Sequence, residues 1–225
     1  MERDRMTGKE PAYNVNGEEE LAKETRKNLS NASQKEKAEY HFAEFIEALG
    51  LDVDGDEHLR DTPSRVAKSR FNELFRGLQE NPRRHLERTF EDYGQEEGED
   101  GGLVIVDNIQ VQSMCAHHFL PFRGVAHIGY IPDGKVVGLS KLARVTHGYS
   151  RRPQVQERLT NQIADAIDEE LEPKAVVAVV EAEHECMTLR GVQEPNTMTR
   201  TSALRGDALD DNSIKQEFFD LVGGQ

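Results

Sequence analysis

The chain of 225 residues is long enough for one domain with a good core plus a smaller appendage. It carries 42 acidic and 28 basic side chains, a formal net charge of −14, and 36 % hydrophobic residues, below the ~45–50 % usual in globular chains. The negative charge argues against nucleic acid and anionic membranes as partners, because such binding needs positive charge facing phosphates. No apolar stretch approaches the ~20 residues that span a bilayer, and the polar first residues lack the hydrophobic segment of a signal peptide, so we expect a cytoplasmic protein.

Charge and apolar spacing divide the chain into four segments. Residues 1–32 are polar and lack an apolar period, so they predict a flexible acidic and polar tail. Apolar residues at helical spacing then predict an N-terminal helical region over residues 33–90. Residues 91–102 are rich in acidic side chains and glycine and predict an exposed loop. Residues 103–225 mix strand and helix patterns and are expected to form the main domain.

Two helices are predicted in the N-terminal region. Ser33 is a candidate N-cap for a first helix that stops at Gly50. Thr62-Pro63 places a cap before a proline at the first helical position, and one apolar stripe predicts that this second helix continues to Leu78.

The strand and helix patterns of the main domain predict an α+β fold. Strands are predicted over residues 103–114, 122–131, 175–183 and 197–204, with a turn at 132–135 leading to a short extended piece at 136–138. Between the strand pairs, Ser140 caps one predicted helix and Pro153 opens another, and a last helix follows Asn212 or Ser213.

Strands in antiparallel pairs with grouped helices indicate a four-stranded antiparallel sheet with helices on one face, preceded by the N-terminal helical extension. Such a sheet has two free edges, which proteins cover, shorten or pair with another subunit. We therefore expect a homo-oligomer.

Two short segments concentrate the residues that bind zinc, Cys115-Ala116-His117-His118 and His184-Glu185-Cys186. In an extended segment, residues two apart face the same side, and a turn after the preceding strand brings Cys115 near His118. The two cysteines of the chain could instead form one disulfide. In a reducing compartment, however, cysteines flanked by histidines more often mark a metal or reactive site.

Two thiolates and one imidazole leave a fourth zinc position for water, as in catalytic sites. Because Cys-x-x-His is a common short chelate, we assign Zn²⁺ to Cys115, His118 and Cys186. His117 and His184 are then available for proton transfer.

In the segments around 138–144 and 151–158, residue types alone do not decide between a functional and a purely structural role. Glu157 could simply complement the dipole of a helix N-terminus, and Lys141 and Arg144 could form a solvated face.

Several motifs in chain order resemble those of the GTP cyclohydrolase I family. They are Thr62-Pro63-x-Arg65-Val66-Ala67-Lys68, Cys115-Ala116-His117-His118-Phe119, Gly138-Leu139-Ser140-Lys141, the run from Arg152 to Thr160, His184-x-Cys186 and Arg190-Gly191-Val192. The resemblance extends from about Phe42 to Val222. Ala116 stands where many members carry Glu, and Thr197 where Ser is common.

The resemblance implies conversion of GTP and water to 7,8-dihydroneopterin triphosphate and formate, the first step of pterin and tetrahydrofolate biosynthesis. It implies a tunnel-type fold for residues 103–225, in which the strands of neighbouring subunits join into a closed barrel. The expected assembly is a decamer of two pentamers with catalytic sites between subunits.

The resemblance also implies roles for individual residues. His117 is expected to be the acid at guanine N7 and His184 a second proton-transfer group. The expected substrate-binding residues are Gln156 and Glu157 at the guanine, and Ser140, Lys141, Arg144 and Arg190 near the phosphates, with Arg65 and Lys68 as further contributors.

Three alternatives are weighed against this interpretation. A zinc nucleobase deaminase requires H-x-E and P-C-x-x-C motifs, whereas Cys115 and Cys186 are far apart in the chain. A nitrile reductase of queuosine biosynthesis shares the tunnel-type fold but uses a cysteine nucleophile. A structural zinc protein would close the coordination with His117 or His184 as fourth ligand.

Overall fold

The computed structural model describes residues 32–93 and 102–223. The predicted tail, apart from residue 32, and residues 94–101 of the predicted acidic loop lie outside the described residues. Contacts divide the chain into two compact units, Met1–Ser69 and Arg70–Gln225. None of the helices in the described part of the chain combines the length and apolar character needed to cross a membrane.

The N-terminal unit contains helices α1 (Gln34–Ala48) and α2 (Thr62–Ser69). Ser33 Oγ accepts a hydrogen bond from the Glu36 amide, and the Glu36 carboxylate accepts one from the Ser33 amide at 2.7 Å. This reciprocal pair satisfies two backbone donors at the helix start. Gly50 follows with a φ of +83°, so the predicted start and stop of the first helix are confirmed.

The second predicted helix is shorter than expected. The α-helix ends at Ser69, and a π-helical turn at Arg70–Leu74 and 3₁₀ turns at Arg76–Gln79 and Pro82–His85 follow. The prediction of one helix to Leu78 is therefore wrong.

Long-range contacts of Gly77 account for this difference. Its amide donates to the Arg151 carbonyl at 3.0 Å, and its carbonyl accepts from Arg152 Nε at 2.8 Å. A Cβ at this position would lie 2.1 Å from the Gly148 carbonyl oxygen. Residues distant in sequence thus form hydrogen bonds with the backbone groups that a continuous helix would use. The spacing of apolar residues in the sequence cannot predict such contacts.

The main sheet has five strands in the order β5-β2-β3-β6-β7. The strands are β2 (Val104–Cys115), β3 (Pro121–Ile131), β5 (Pro153–Gln154), β6 (Ala175–His184) and β7 (Met198–Gly206). Neighbours among β2, β3, β6 and β7 are antiparallel, whereas β5 pairs in parallel with β2. The four-stranded prediction missed β5 because Pro153 was interpreted as a helix start. The pairings of Pro153 with Met114 and of Gln154 with Cys115 show that these two residues form a strand.

A second, two-stranded sheet pairs β1 (Thr89–Tyr93) with β4 (Gly134–Val137). Residues 91–93 of the predicted loop at 91–102 therefore belong to β1, and the predicted turn at 132–135 is shorter because β4 begins at Gly134. Thr89 pairs with Val137 across a long stretch of chain, so the acidic composition of β1 was a poor guide to its conformation.

Helices α3 (Ser140–Ser150) and α4 (Gln156–Leu171) pack on one face of the sheet, where Leu142, Leu159 and Ile163 are fully buried. The short helix α5 (Glu185–Thr188) follows β6, and helix α6 (Asn212–Gly223) ends the described chain.

Helix α6 corrects the prediction that helices cover only one face. Phe218 of α6 packs in a second apolar cluster with Ala175 and Val177 of β6, whereas Val176 faces the first cluster. Strand β6 is apolar at successive positions because both of its faces are covered.

The predicted caps of two of these helices also need correction. Asp211 Oδ1 accepts from the amide and hydroxyl of Ser213 at 2.7 Å, so Asp211 caps α6. Leu139 occupies the cap position of α3, and Ser140 is the first helical residue.

Candidate active site

Cys115, His118 and Cys186 come together in the second unit. One donor atom from each side chain lies within 4.8 Å of the other two, and Cys115 Sγ is 3.8 Å from His118 Nδ1. Both cysteines are free thiols, so the alternative of a disulfide is wrong.

Strand directions explain this convergence. Strands β2 and β6 both run antiparallel to β3, which lies between them, so their C-terminal ends reach the same end of the sheet. Cys115 ends β2, and Cys186 follows the end of β6 by two residues. Phe119, with a φ of +54°, donates its amide to the Cys115 carbonyl at 2.8 Å and closes the turn that carries His118.

The donor set fits a divalent cation. Zinc–ligand bonds of about 2.0–2.3 Å place the donor atoms of a tetrahedral site roughly 3.5 Å apart, so the observed group needs to close by only a small amount. Burial raises the pKa of the Cys186 thiol, and the neighbouring Cys115 sulfur raises it further. A cation between the sulfurs offsets both effects because it stabilises thiolates.

His117 and His118 are adjacent but differ in position. His117 Nδ1 is 3.9 Å from Cys115 Sγ, yet His117 is outside the group whose donor atoms all lie close to one another. His118 Nε2 is 3.0 Å from Arg190 Nη1. A guanidinium can only donate, so Arg190 brings a positive charge directly to the edge of the donor group.

His184, two residues before Cys186, is held by two contacts. Its ring stacks on Phe122 with centroids 4.5 Å apart and planes 9° from parallel, and its Nε2 is 2.6 Å from Gln156 Oε1. Burial lowers the pKa of His184, which the nearby Glu157 carboxylate partly opposes. Burial thus favours the neutral imidazole, and the contacts with Phe122 and Gln156 hold its orientation.

The motif from Arg152 to Thr160 mostly holds the fold together. Arg152 binds the carbonyls of Gly77 and Glu80. Gln154 Nε2 donates to the Tyr149 carbonyl at 2.8 Å. Other contacts in the motif run from Arg158 to the Pro153 carbonyl and from Thr160 Oγ1 to the Gln156 carbonyl. Glu157, by contrast, presents an exposed carboxylate near His184.

Gln156, which is expected to contact the guanine, has protein partners in the structure. Its side chain is buried, and its amide group binds protein atoms. Phe122 was missed altogether by sequence reasoning. Its cross-strand pairing with His184 required the register of β3 and β6.

The remaining predicted substrate residues lie on two helices. Ser140, Lys141 and Arg144 occupy the first two turns of α3, and Ser140 and Arg144 are exposed. Arg65 and Lys68 belong to α2 of the N-terminal unit, where Arg65 pairs with Asp61 at 2.9 Å.

Comparison with known proteins places this geometry in a family. A model of the GTP cyclohydrolase I family matches residues 38–223. GTP cyclohydrolase 1 of Carboxydothermus hydrogenoformans is 50 % identical over 192 residues, covering 85 % of this chain and 96 % of that protein. The corresponding proteins of Corynebacterium glutamicum and Streptomyces coelicolor are also 50 % identical; they cover 84 % and 83 % of this chain, and 93 % and 89 % of their own lengths. The chain therefore belongs to the GTP cyclohydrolase I family.

Proposed function

We propose that the protein catalyses the zinc-dependent conversion of GTP and water to 7,8-dihydroneopterin triphosphate and formate, the first step of pterin and tetrahydrofolate biosynthesis. The observation that carries this proposal is the group of Cys115, His118 and Cys186, whose donor atoms lie within 4.8 Å of one another in a chain of this family. Relatives that align with most of the chain are named GTP cyclohydrolase 1.

Cys115, His118 and Cys186 are the residues that hold the ion in this proposal, and three protein ligands leave one coordination position open. Bound there, zinc would supply Lewis acidity and lower the pKa of a water molecule to about 7, which hydrolysis at neutral pH requires.

Two histidines move protons in the proposed reaction. Attack of water at C8 of guanine shifts electron density to N7, and an imidazole donates and recovers a proton near neutral pH. His117, exposed in the turn after β2 and 3.9 Å from Cys115 Sγ, is assigned to N7. His184 is assigned to the later transfers during ring opening and rearrangement of the sugar.

Charged groups beside the histidines suit the two ends of GTP. The exposed Glu157 carboxylate accepts hydrogen bonds from N1–H and the amino group of guanine. Arg190, whose guanidinium is 3.0 Å from His118 Nε2, binds phosphate oxygens. Such local positive charge is needed because the chain as a whole carries a net charge of −14.

We assign the rest of the triphosphate site to Ser140, Lys141 and Arg144, with Arg65 and Lys68 as further contributors, in a tunnel-type assembly whose sites lie between subunits. A decamer of two pentamers is the proposed state. Two features support association of copies. Strand β7 forms an edge of the main sheet within the described part of the chain, and the large apolar side chains of Leu139, Leu189 and Met198 are exposed.

The test is incubation of the purified protein with GTP, with assays for formate and for a pterin that fluoresces after oxidation. We expect both products in the zinc-loaded protein. Chelation should abolish them while circular dichroism shows a folded protein, and added zinc should restore them. Absence of product with every divalent metal tried would contradict the proposal, and unfolding on chelation would favour a structural zinc site.

A further inference from the structure

The side-chain amide of Gln156 occupies a closed polar pocket at the start of α4. Its relative exposure is 2 %. The amide nitrogen lies 3.0 Å from the carbonyl oxygen of Val180 on β6 and 3.0 Å from that of Thr199 on β7, and 3.2 Å from Thr201 Oγ1. Gln156 therefore binds the neighbouring strands β6 and β7 to the helix.

These neighbours determine which way the amide points. A backbone carbonyl oxygen can only accept a hydrogen bond, so the NH₂ group of Gln156 must face Val180 and Thr199. The reversed amide would press its oxygen against two carbonyl oxygens and leave them without donors. Gln156 Oε1 consequently faces His184 Nε2, 2.6 Å away.

The amide orientation in turn determines the proton position on His184. Because Gln156 Oε1 can only accept, His184 Nε2 must carry the hydrogen. In a neutral imidazole the other nitrogen, Nδ1, is then the acceptor.

We propose that Gln156 is a positioning residue, which holds His184 as the Nε2–H tautomer so that Nδ1 is the atom that exchanges protons with the substrate. This role replaces the substrate contact expected for Gln156. The role of His184 in proton transfer, on which this proposal depends, comes from the proposed function.

The surroundings allow little freedom to either side chain. Phe122, which is fully buried, stacks against the His184 ring and fixes its plane. Thr201 Oγ1, one of the groups facing Gln156, also lies 2.6 Å from Thr160 Oγ1, which donates to the Gln156 carbonyl. The tautomer is thus set by groups on α4, β3, β6 and β7 together, as a histidine in a catalytic site requires.

The direct test is nitrogen NMR of the zinc-loaded protein labelled with [¹⁵N]histidine, at about pH 8, where ordinary imidazoles are neutral. The His184 signals are assigned by their loss in His184→Asn. We expect a protonated Nε2 and an unprotonated Nδ1. A protonated Nδ1, or a mixture of the two tautomers, would overturn the proposal. This NMR measurement does not require catalytic activity, so its result can be distinguished from a failure of the proposed function.

A variant separates positioning from substrate binding. Gln156→Met keeps the length of the side chain but removes its acceptor. We expect His184 to show both tautomers, kcat to fall about 10- to 100-fold, and KM for GTP to stay within about threefold. A raised KM with an unchanged kcat would instead identify Gln156 as a substrate contact.

Gln162→Met is the matched control. Gln162 lies on the same helix and accepts a hydrogen bond from Gln154; within the part of the chain that the structure describes, it makes no hydrogen bond to His184. We expect this variant to keep the wild-type tautomer and kinetic constants. Should Gln156→Met fail to fold, the tautomer of the wild-type protein still decides the proposal.

Discussion

At the scale of single residues, the paired histidines of the turn after β2 show how position separates chemically identical side chains. His118 belongs to the donor group with Cys115 and Cys186, whereas His117 approaches Cys115 alone. His118 also contacts Arg190, which joins the ion site to the proposed phosphate site. Replacement of His117 and replacement of His118 should therefore have different effects on metal content and turnover.

His118→Ala should lose the metal, because two thiols alone hold a divalent ion far less tightly than three ligands. His117→Ala should keep it, while turnover falls about 100-fold or more, since general acid–base groups typically contribute factors of that size. Metal content by mass spectrometry of the purified variants, alongside the GTP assay, checks both. Loss of metal in His117→Ala but not in His118→Ala would mean that the two roles are exchanged.

At the scale of elements, the close approach of β3 and β6 sets the position of His184. Gly124 pairs with Ala182, and a Cβ at Gly124 would lie 1.8 Å from the Glu181 carbonyl oxygen and 2.6 Å from the Ala182 Cα. These are backbone atoms, which cannot move aside as a flexible side chain can. The two strands could accommodate a methyl group only by separating.

Gly124→Ala should therefore lower the free energy of unfolding by about 1–3 kcal/mol or more, the usual cost of overpacking. It should also reduce turnover, because the shift displaces β6 and with it His184. Gly102→Ala is the control, since among the described residues no atom beyond its chain neighbours lies within 4 Å of a Cβ at that position. Equal thermal melting temperatures for the two variants would contradict this account of the strand contact.

At the scale of the whole molecule, buried histidines link stability to pH. His147 on α3 is half-buried; burial lowers its pKa, and the charges of Arg151 and Arg76 lower it further. Above its ordinary pKa of 6.5, His147 is neutral in both folded and unfolded chains and contributes nothing. As the pH falls through that value, the unfolded chain binds the proton first, so the free energy of unfolding decreases.

Urea unfolding at about pH 7.5 and about pH 5.5 should show this loss of stability, and His147→Gln should reduce the difference between the two conditions. His184 contributes in the same direction, because burial also lowers its pKa. The control is His58→Gln, whose side chain is 87 % exposed. An unchanged difference in His147→Gln would show that His147 binds protons equally well in both states.

Local chemistry made the donor group predictable. Cys115, His118 and Cys186 are recognisable from residue type and short spacing, and the family comparison confirms the resemblance that the motifs carry. The first helix was equally predictable, because its cap Ser33 and its stop Gly50 act on neighbouring residues.

The tertiary structure decided everything that depends on partners from distant parts of the chain. Strand β5 exists because Gln154 pairs with Cys115, and Gln156 faces protein atoms because β6 and β7 supply its acceptors. The sequence by itself determined the α+β class and the residues of the donor group, since these follow from local spacing and side-chain chemistry. Only the tertiary structure decided which atoms of these residues and their neighbours remain free for substrate. The reason is that their hydrogen bonds are made with segments that are distant in sequence.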